Sequence, residues 1–212
     1  MACTIPSQAP GLPSHLQSGQ LFVSADDLRT TFAHAMSAMY LAEVPLYGGL
    51  VHIVSQVNSE RQTDSVNQDS AQRLSLKRHG AIRLGTSQEL RTIKRIFHIL
   101  GMQLVDYYDL SVAGLPMHAT CFRPTNAKSL EANLFRVFTT LLRPTLIQDD
   151  RARRIAESML QSRNIFSAKL LQLLDQADQQ SGRLTVDQVE TFIPEALSCR
   201  SVRFLRVAIT SK

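Results

Sequence analysis

The sequence predicts an α+β fold in which one βαβββ module is flanked by helices on its N-terminal and C-terminal sides. Within residues 74–145 the apolar pattern gives the order strand, helix, strand, strand, strand. Before and after this region, apolar residues recur at steps of three and four, which is typical of amphipathic helices. We therefore expect the module's helix to cover one face of the sheet and the other face to be free to hold a site.

The 212 residues divide into five segments by composition and apolar period. We assign a flexible arm to 1–20, a helical segment to 21–73, the βαβββ module to 74–145, a second helical segment to 146–192 and an aberrant basic tail to 193–212. The arm is rich in Pro, Ser, Gln and Gly, and the tail shows no clear period.

The first helical segment predicts two helices. Ser24 can cap the first, and its apolar stripe consists of Leu28, Phe32, Met36 and Met39. Pro45 ends that helix, and the pattern over 47–60 predicts a second helix with a stripe at Leu50, Ile53, Val54 and Val57. We expect these stripes to make helix–helix contacts.

The module's own elements have clear local signals. Its first strand covers 79–85, and Thr86 or Ser87 can cap the helix that follows, which Gly101 ends. The other strands are predicted at 103–110, 117–123 and 134–142, with a short helical piece at 126–133.

Composition excludes several classes of protein. An apolar fraction of 44% is too high for a disordered chain, and three widely spaced cysteines do not make a disulfide framework. We find no apolar run long enough to span a membrane and no secretory signal, so we expect a reduced, cytoplasmic protein with no membrane partner. The net charge of +5 raises the alternative of a basic nucleic-acid-binding domain. Four of the 23 basic residues lie in the predicted tail against one acid, so we expect no nucleic-acid partner.

The first strand carries the most informative polar pair. Because side chains alternate along a strand, His79, Ala81 and Arg83 share one face, and His79 lies about 13 Å from Arg83 along the backbone. A small dicarboxylate fits between an arginine and a metal held by histidine, since guanidinium grips carboxylates and imidazole suits iron, zinc or copper. The alternative is a half-exposed edge strand with two polar residues.

Other candidates have weaker patterns. His118 is a second candidate ligand, although a lone histidine on a strand more often has a structural role. We expect Asp109 to cap the turn that follows it and Cys121 to be buried rather than nucleophilic. The sequence contains no phosphate-binding glycine loop and no nucleophile-elbow motif.

Four separated blocks resemble the 2-oxoadipate dioxygenase/decarboxylase family, also called the hydroxyglutarate synthase family. They are His79-Gly-Ala-Ile-Arg-Leu-Gly-Thr, Phe97-His-Ile-Leu-Gly-Met, Tyr107-Tyr-Asp-Leu-Ser-Val-Ala-Gly-Leu-Pro-Met-His-Ala-Thr and Cys121-Phe-Arg-Pro-Thr. The resemblance covers about 21–192 and implies a fold like that of the vicinal-oxygen-chelate enzymes. It also implies Fe(II), O₂ and a small-molecule 2-oxo dicarboxylic acid, with 2-oxoadipate converted to 2-hydroxyglutarate and CO₂ in lysine breakdown.

The resemblance assigns roles to two residues here. His79 matches an iron ligand, and Arg83 matches the arginine that grips the substrate. The family's second His and its Glu match nothing after Phe192, and Glu131 and Asp109 are weak substitutes. We therefore expect a chain that keeps the N-terminal half of the enzyme. The alternative is a non-catalytic N-terminal fragment that serves only as a folding or interaction module. The sequence leaves the oligomeric state open.

Overall fold

A computed structural model describes residues 21–61 and 79–199. Within these ranges the helices are α1 (Ala25–Glu43), α2 (Pro45–Arg61), α3 (Ser87–Ile99), α4 (Ala127–Ala132), α5 (Asp150–Gln161), α6 (Ala168–Gln179) and α7 (Val186–Ser198). The strands are β1 (His79–Leu84), β2 (Gln103–Asp109), β3 (Met117–Arg123) and β4 (Arg136–Leu142). The predicted strand, helix, strand, strand, strand order is confirmed, and α4 is the short helical piece between β3 and β4.

Side-chain caps set the helix starts where the sequence predicts them. The Ser24 hydroxyl accepts the Asp27 N–H at α1, and the Thr86 hydroxyl accepts the Glu89 N–H at α3. At the other end of α3, Gly101 has φ +67° and its N–H donates to the His98 carbonyl. A residue with a Cβ is strained in this left-handed conformation, so glycine suits the position.

The four strands form one mixed sheet in the order β1-β4-β3-β2. β1 pairs with β4 in parallel, with His79 opposite Arg136 and Arg83 opposite Thr140. The β4–β3 and β3–β2 pairs are antiparallel. This order brings the first and last strands of the module side by side, although 51 residues separate the end of β1 from the start of β4.

One face of the sheet forms the core. Ile82 and Leu84 of β1, Val137 of β4 and Phe122 of β3 are buried against α1 and α3. The Phe97 ring of α3 packs on Phe122 with 5.0 Å between the ring centroids. Burial of these side chains supplies the main favourable free energy for docking the helices on the sheet.

A buried arginine ties α1 to two other elements. Arg29 is fully buried, and its guanidinium donates to the Leu100 carbonyl at 3.1 Å and to the Ser129 carbonyl at 2.8 Å. Its charge is paired with Asp26 at 2.8 Å. These bonds fix the start of α1 against the end of α3 and against α4.

The second predicted helix forms, but its apolar stripe does not make the helix–helix contacts that we expected. In α2 the exposed side chains include Leu50, Ile53, Val54 and Val57, which are between 45% and 58% exposed. α2 contacts the described chain mainly at the end of α1. The reason is geometric, since Pro45 starts a new helix axis that leaves the core where α1 stops.

The boundary at Ile193 also requires a correction. Helix α7 runs to Ser198, so Ile193–Ser198 are helical rather than an aperiodic segment. Ile193, Ala196 and Cys199 are buried and continue the spacing of the buried Val189. Pro194 inside the helix hides this continuity in the sequence.

The other segment predictions lie partly outside the described residues. These are the arm at 1–20, the stretch 62–78 and the tail from 200 onwards. Within the described ranges, no helix has both the length and the hydropathy needed to cross a bilayer.

Candidate active site

The candidate site lies on the face of the sheet opposite the core, here called the open face. On β1 the side chains of His79, Ala81 and Arg83 are exposed, whereas Ile82 and Leu84 are buried. This alternation is the one the sequence predicts, and it places His79 and Arg83 on one face, about 13 Å apart along the strand. Both side chains also make contacts within the protein.

The neighbouring strands add side chains to the open face in register. One row runs across all four strands from Arg83 through Thr140 and Ala119 to Tyr108. The next row joins Ala81, Phe138, Cys121 and Val105. The row beyond begins with His79 and Arg136. The open face is therefore basic at β1 and β4 and apolar in its middle.

A β-bulge in β2 decides which tyrosine reaches the open face. Asp106 has φ +58°, and the pairing with β3 shifts register between Val105 and Tyr107. The Thr120 hydroxyl donates to the Asp106 carbonyl at 2.6 Å and holds the bulge. As a result Tyr108 lies in the row of Arg83, while Tyr107 lies on the opposite face.

Arg136 is a functional candidate that the sequence analysis missed. It is half-buried beside His79, and its Nε is buried with no hydrogen-bond partner among the described residues. The sequence predicts a strand at 134–142 but not its parallel pairing with β1, which places Arg136 opposite His79. The one local feature that could have indicated Arg136 is that a strand starts on a positively charged residue after an apolar loop.

Cys121 is buried at the centre of the open face, as predicted, with 5% of its surface exposed. Burial raises the pKa of its thiol, the positive charges of Arg136 and Arg123 lower it, and Asp106 raises it. Burial dominates, so the group remains a neutral thiol at neutral pH.

His118 does not join His79. It pairs with Leu141 and Asp109 on the core face, so the sheet separates the two imidazoles. Its Nδ1 lies 2.6 Å from the Tyr107 hydroxyl and 3.0 Å from Arg143 Nη1. Since arginine only donates, Nδ1 accepts, and Nε2 carries the proton toward Asp109 at 3.7 Å. This arrangement is structural.

The two acids considered as substitute ligands also lie elsewhere. Asp109 accepts the Ser111 N–H at 2.9 Å and caps the turn, as predicted. Hydrogen bonds from Ser111, and then the positive charge of Arg143, lower the pKa of this carboxyl. Glu131 is exposed on α4, away from the open face.

The described residues alone do not supply the ligands of the metal that a dioxygenase implies. In residues 21–61 and 79–199 no three His, Cys, Asp or Glu side chains lie close enough together to hold a metal ion. His79 offers one imidazole, and a stable site needs further ligands. The described residues do not fit a complete metal centre, and we assign no step of the reaction to it.

A comparison with protein families settles the lineage. The model of the family described as 2-oxoadipate dioxygenase/decarboxylase matches residues 32–208. This chain belongs to that family. The match runs past Phe192, where the resemblance in the sequence analysis ends, and it includes all of α7.

Curated relatives agree with this assignment. The chain is 47% identical over 182 residues to the 2-oxoadipate dioxygenase/decarboxylase of Escherichia coli, covering 82% of this chain and 40% of that protein. It is 46% identical over 183 residues to that of Pseudomonas putida, covering 83% and 39%. The chain thus spans about two fifths of the length of the curated relatives that it matches. The interaction-module and nucleic-acid alternatives are not favoured.

Solved structures confirm the fold. The hydroxyglutarate synthase of P. putida matches with a TM-score of 0.79 and 45% identity, over 85% of this chain and 43% of that one. The same enzyme was solved in complex with 2-oxoadipate. A glyoxalase superfamily protein from Ralstonia eutropha matches at 19% identity with a TM-score of 0.54, over 87% of this chain and 57% of that one. The predicted vicinal-oxygen-chelate-like fold is confirmed.

Proposed function

We propose that this chain serves the reaction of its family, in which 2-oxoadipate and O₂ give 2-hydroxyglutarate and CO₂ during lysine breakdown. The atoms balance, because the six-carbon diacid loses one carbon as CO₂ and takes up both atoms of O₂ between the two products. The observation that carries the proposal is the pair His79 and Arg83 on one exposed strand face, in a chain 45% identical to a protein solved with 2-oxoadipate bound.

Arg83 is the residue that we assign to substrate binding. Its guanidinium can form two parallel hydrogen bonds with a carboxylate, and such charge-assisted pairs are stronger and more directional than neutral bonds. A side chain fixed on a strand positions a diacid better than one on a loop, because the parallel pairing of Arg83 with Thr140 restrains the backbone. Arg83 thereby selects dicarboxylates over monocarboxylates.

His79 is the residue that we assign to metal binding, and Fe(II) is the proposed cofactor. A neutral imidazole is a common ligand of non-haem iron. His79 lies at the start of β1, four residues before Arg83, so a diacid held by Arg83 extends along the strand toward the imidazole. The support for iron is the dioxygenase family to which the chain belongs.

Turnover by the purified chain tests this proposal. With Fe(II) and O₂, we expect CO₂ and 2-hydroxyglutarate to form from 2-oxoadipate in equal amounts. Both products should disappear in His79→Ala and in Arg83→Ala, since each loses one of the two assigned groups. Arg151→Ala, at an exposed position of α5, is the control and should keep the activity. No product from the wild-type chain would contradict the proposed activity.

We also propose the cytoplasm as the location and a small molecule as the only ligand. In support, Cys121 and Cys199 are free thiols and both are buried. Free cysteines are typical of reducing compartments.

A further inference from the structure

Arg136 differs from the other arginines that have a buried Nε. In the described ranges the Nε atoms of Arg29, Arg95 and Arg136 are buried without a hydrogen-bond partner. The Arg29 guanidinium still donates to two carbonyls, and Arg95 donates to Asp175 and Asp178 at 2.7 Å. No acceptor among the described residues meets Arg136. A buried donor without an acceptor costs free energy, so it indicates a site where a ligand supplies the acceptor.

The position of Arg136 indicates which ligand. Its strand partner is His79, with the two Cα atoms directly opposite each other in the parallel pair. Its charge also acts on Cys121, one row further along the open face. The guanidinium therefore belongs to the open face, and an anion beside His79 is within its reach.

The spacing of the two arginines fits a six-carbon diacid. Arg83 and Arg136 lie on adjacent strands, two rows of the open face or four residue positions apart, so their Cα atoms are about 14 Å apart. The carboxyl carbons of an extended six-carbon diacid are roughly 6 Å apart. A bidentate pair places the guanidinium carbon about 4 Å from the carboxyl carbon. A diacid held at both ends thus needs guanidinium carbons about 14 Å apart. Two arginine side chains that stand roughly perpendicular to the sheet keep the spacing of their Cα atoms, so this pair of positions suits a diacid of that length.

We propose that Arg136 binds the carboxylate next to the keto group of the 2-oxo diacid, while Arg83 binds the distal carboxylate. Arg136 is then a second substrate-binding residue, and the distance between the two guanidinium groups selects the length of the diacid. This inference rests on the proposed function, because it takes 2-oxoadipate as the substrate.

Nuclear magnetic resonance of the arginine Nε–H groups tests the inference without metal or turnover. The full chain, labelled with ¹⁵N-arginine, is titrated with 2-oxoadipate and with 2-oxohexanoate, which lacks the distal carboxylate. The variants Arg136→Lys and Arg83→Lys assign the two signals by their loss. We expect the Arg136 signal to move with both ligands and the Arg83 signal to move with 2-oxoadipate alone.

Arg91, on α3 and away from the open face, is the control. Its Nε already donates to Gln88 Oε1 at 3.0 Å, so its signal should stay fixed. Sulfate at the same ionic strength should not reproduce the shift of the Arg136 signal. If sulfate does so, Arg136 is a general anion contact and the inference is wrong.

Measured affinities distinguish a failure of this inference from a failure of the proposed function. From the strength of charged hydrogen bonds we expect Arg136→Lys to raise the dissociation constants of both ligands about tenfold and to leave the ratio of the two constants unchanged. Arg83→Lys should raise the dissociation constant of 2-oxoadipate only. If Arg136→Lys binds both ligands like the wild type while Arg83→Lys does not, the inference fails and the proposed function stands. If the wild-type chain binds neither ligand, the proposed function itself fails.

Discussion

Arg29 shows how a single side chain can hold several elements together. It is among the largest fully buried side chains of the described chain, and its carbonyl partners come from two elements far away in sequence. The cost of burying its charge is offset only while Asp26 and both carbonyls remain bonded. The sequence gives no sign of this, because Arg29 follows the apolar Leu28 in an ordinary helical pattern.

Replacing Arg29 should therefore be costly. Arg29→Met keeps much of the volume but leaves the buried Leu100 carbonyl without a donor and removes one of the two donors to the Ser129 carbonyl. We expect the free energy of unfolding to fall by roughly 3 kcal/mol. Urea denaturation measures the change. Arg91→Met is the control, since Arg91 on α3 bonds only Gln88 at the surface among the described residues. Equal stability of the two variants would contradict the role of Arg29.

Cys121 provides a test of the electrostatics of the open face. Because burial raises the pKa of its thiol, little thiolate forms at pH 8, and thiolate is the species that is alkylated. We expect iodoacetamide to modify Cys121 in the folded chain at least about tenfold more slowly than in the urea-unfolded chain. Peptide mass spectrometry reads out the modification at Cys121. A rate like that of the unfolded chain would mean that the thiol is exposed or ionised.

For helices and strands, local sequence signals predict where the helices start and which segments are strands. They do not predict which strands pair with each other. Ser24 and Thr86 cap where the sequence indicates, because capping depends on neighbours three residues away. The parallel β1–β4 pair and the bulge at Asp106 depend on residues far apart in the chain. For that reason the sequence predicts His79 and Arg83 on one strand but not Arg136 beside them.

The same distinction explains why the packing of α2 and the end of α7 differ from the prediction. The apolar period of α2 predicts a helix correctly, but period alone does not say what the helix packs against. In α7, Pro194 is a residue that usually indicates the end of a helix, yet the apolar positions on either side of it continue one buried stripe. Tertiary packing outweighs the local signal in that helix.

The end of α3 gives a prediction at this scale. In Gly101→Ala the alanine has to adopt a left-handed φ of +67°, and its methyl group lies 3.0 Å from the Ala25 Cβ of α1. We expect a loss of about 2 kcal/mol in the free energy of unfolding. Gly114→Ala is the matched control, with φ +77° and nothing within 4 Å of the added carbon. It should cost less, and an equal loss would show that contact with α1 does not contribute.

For the whole molecule, the sheet has two distinct faces. Helices α1 and α3 cover one of them, which holds the aromatic and aliphatic core. The open face presents His79, Arg83 and Arg136 around an apolar centre, an arrangement suited to a ligand with charged ends and an aliphatic middle. We propose that this face binds a 2-oxo diacid through Arg83.

The most direct test of that claim is the affinity of the chain for 2-oxoadipate relative to 2-oxohexanoate. Calorimetry with Fe(II) present and O₂ excluded measures both dissociation constants without turnover. We predict that the wild-type chain binds 2-oxoadipate at least about tenfold more tightly. In Arg83→Gln the two affinities should become equal, with Arg151→Gln unchanged as the control. A wild-type chain that binds both ligands equally, or an Arg83→Gln variant that still prefers 2-oxoadipate, would contradict binding of the distal carboxylate by Arg83.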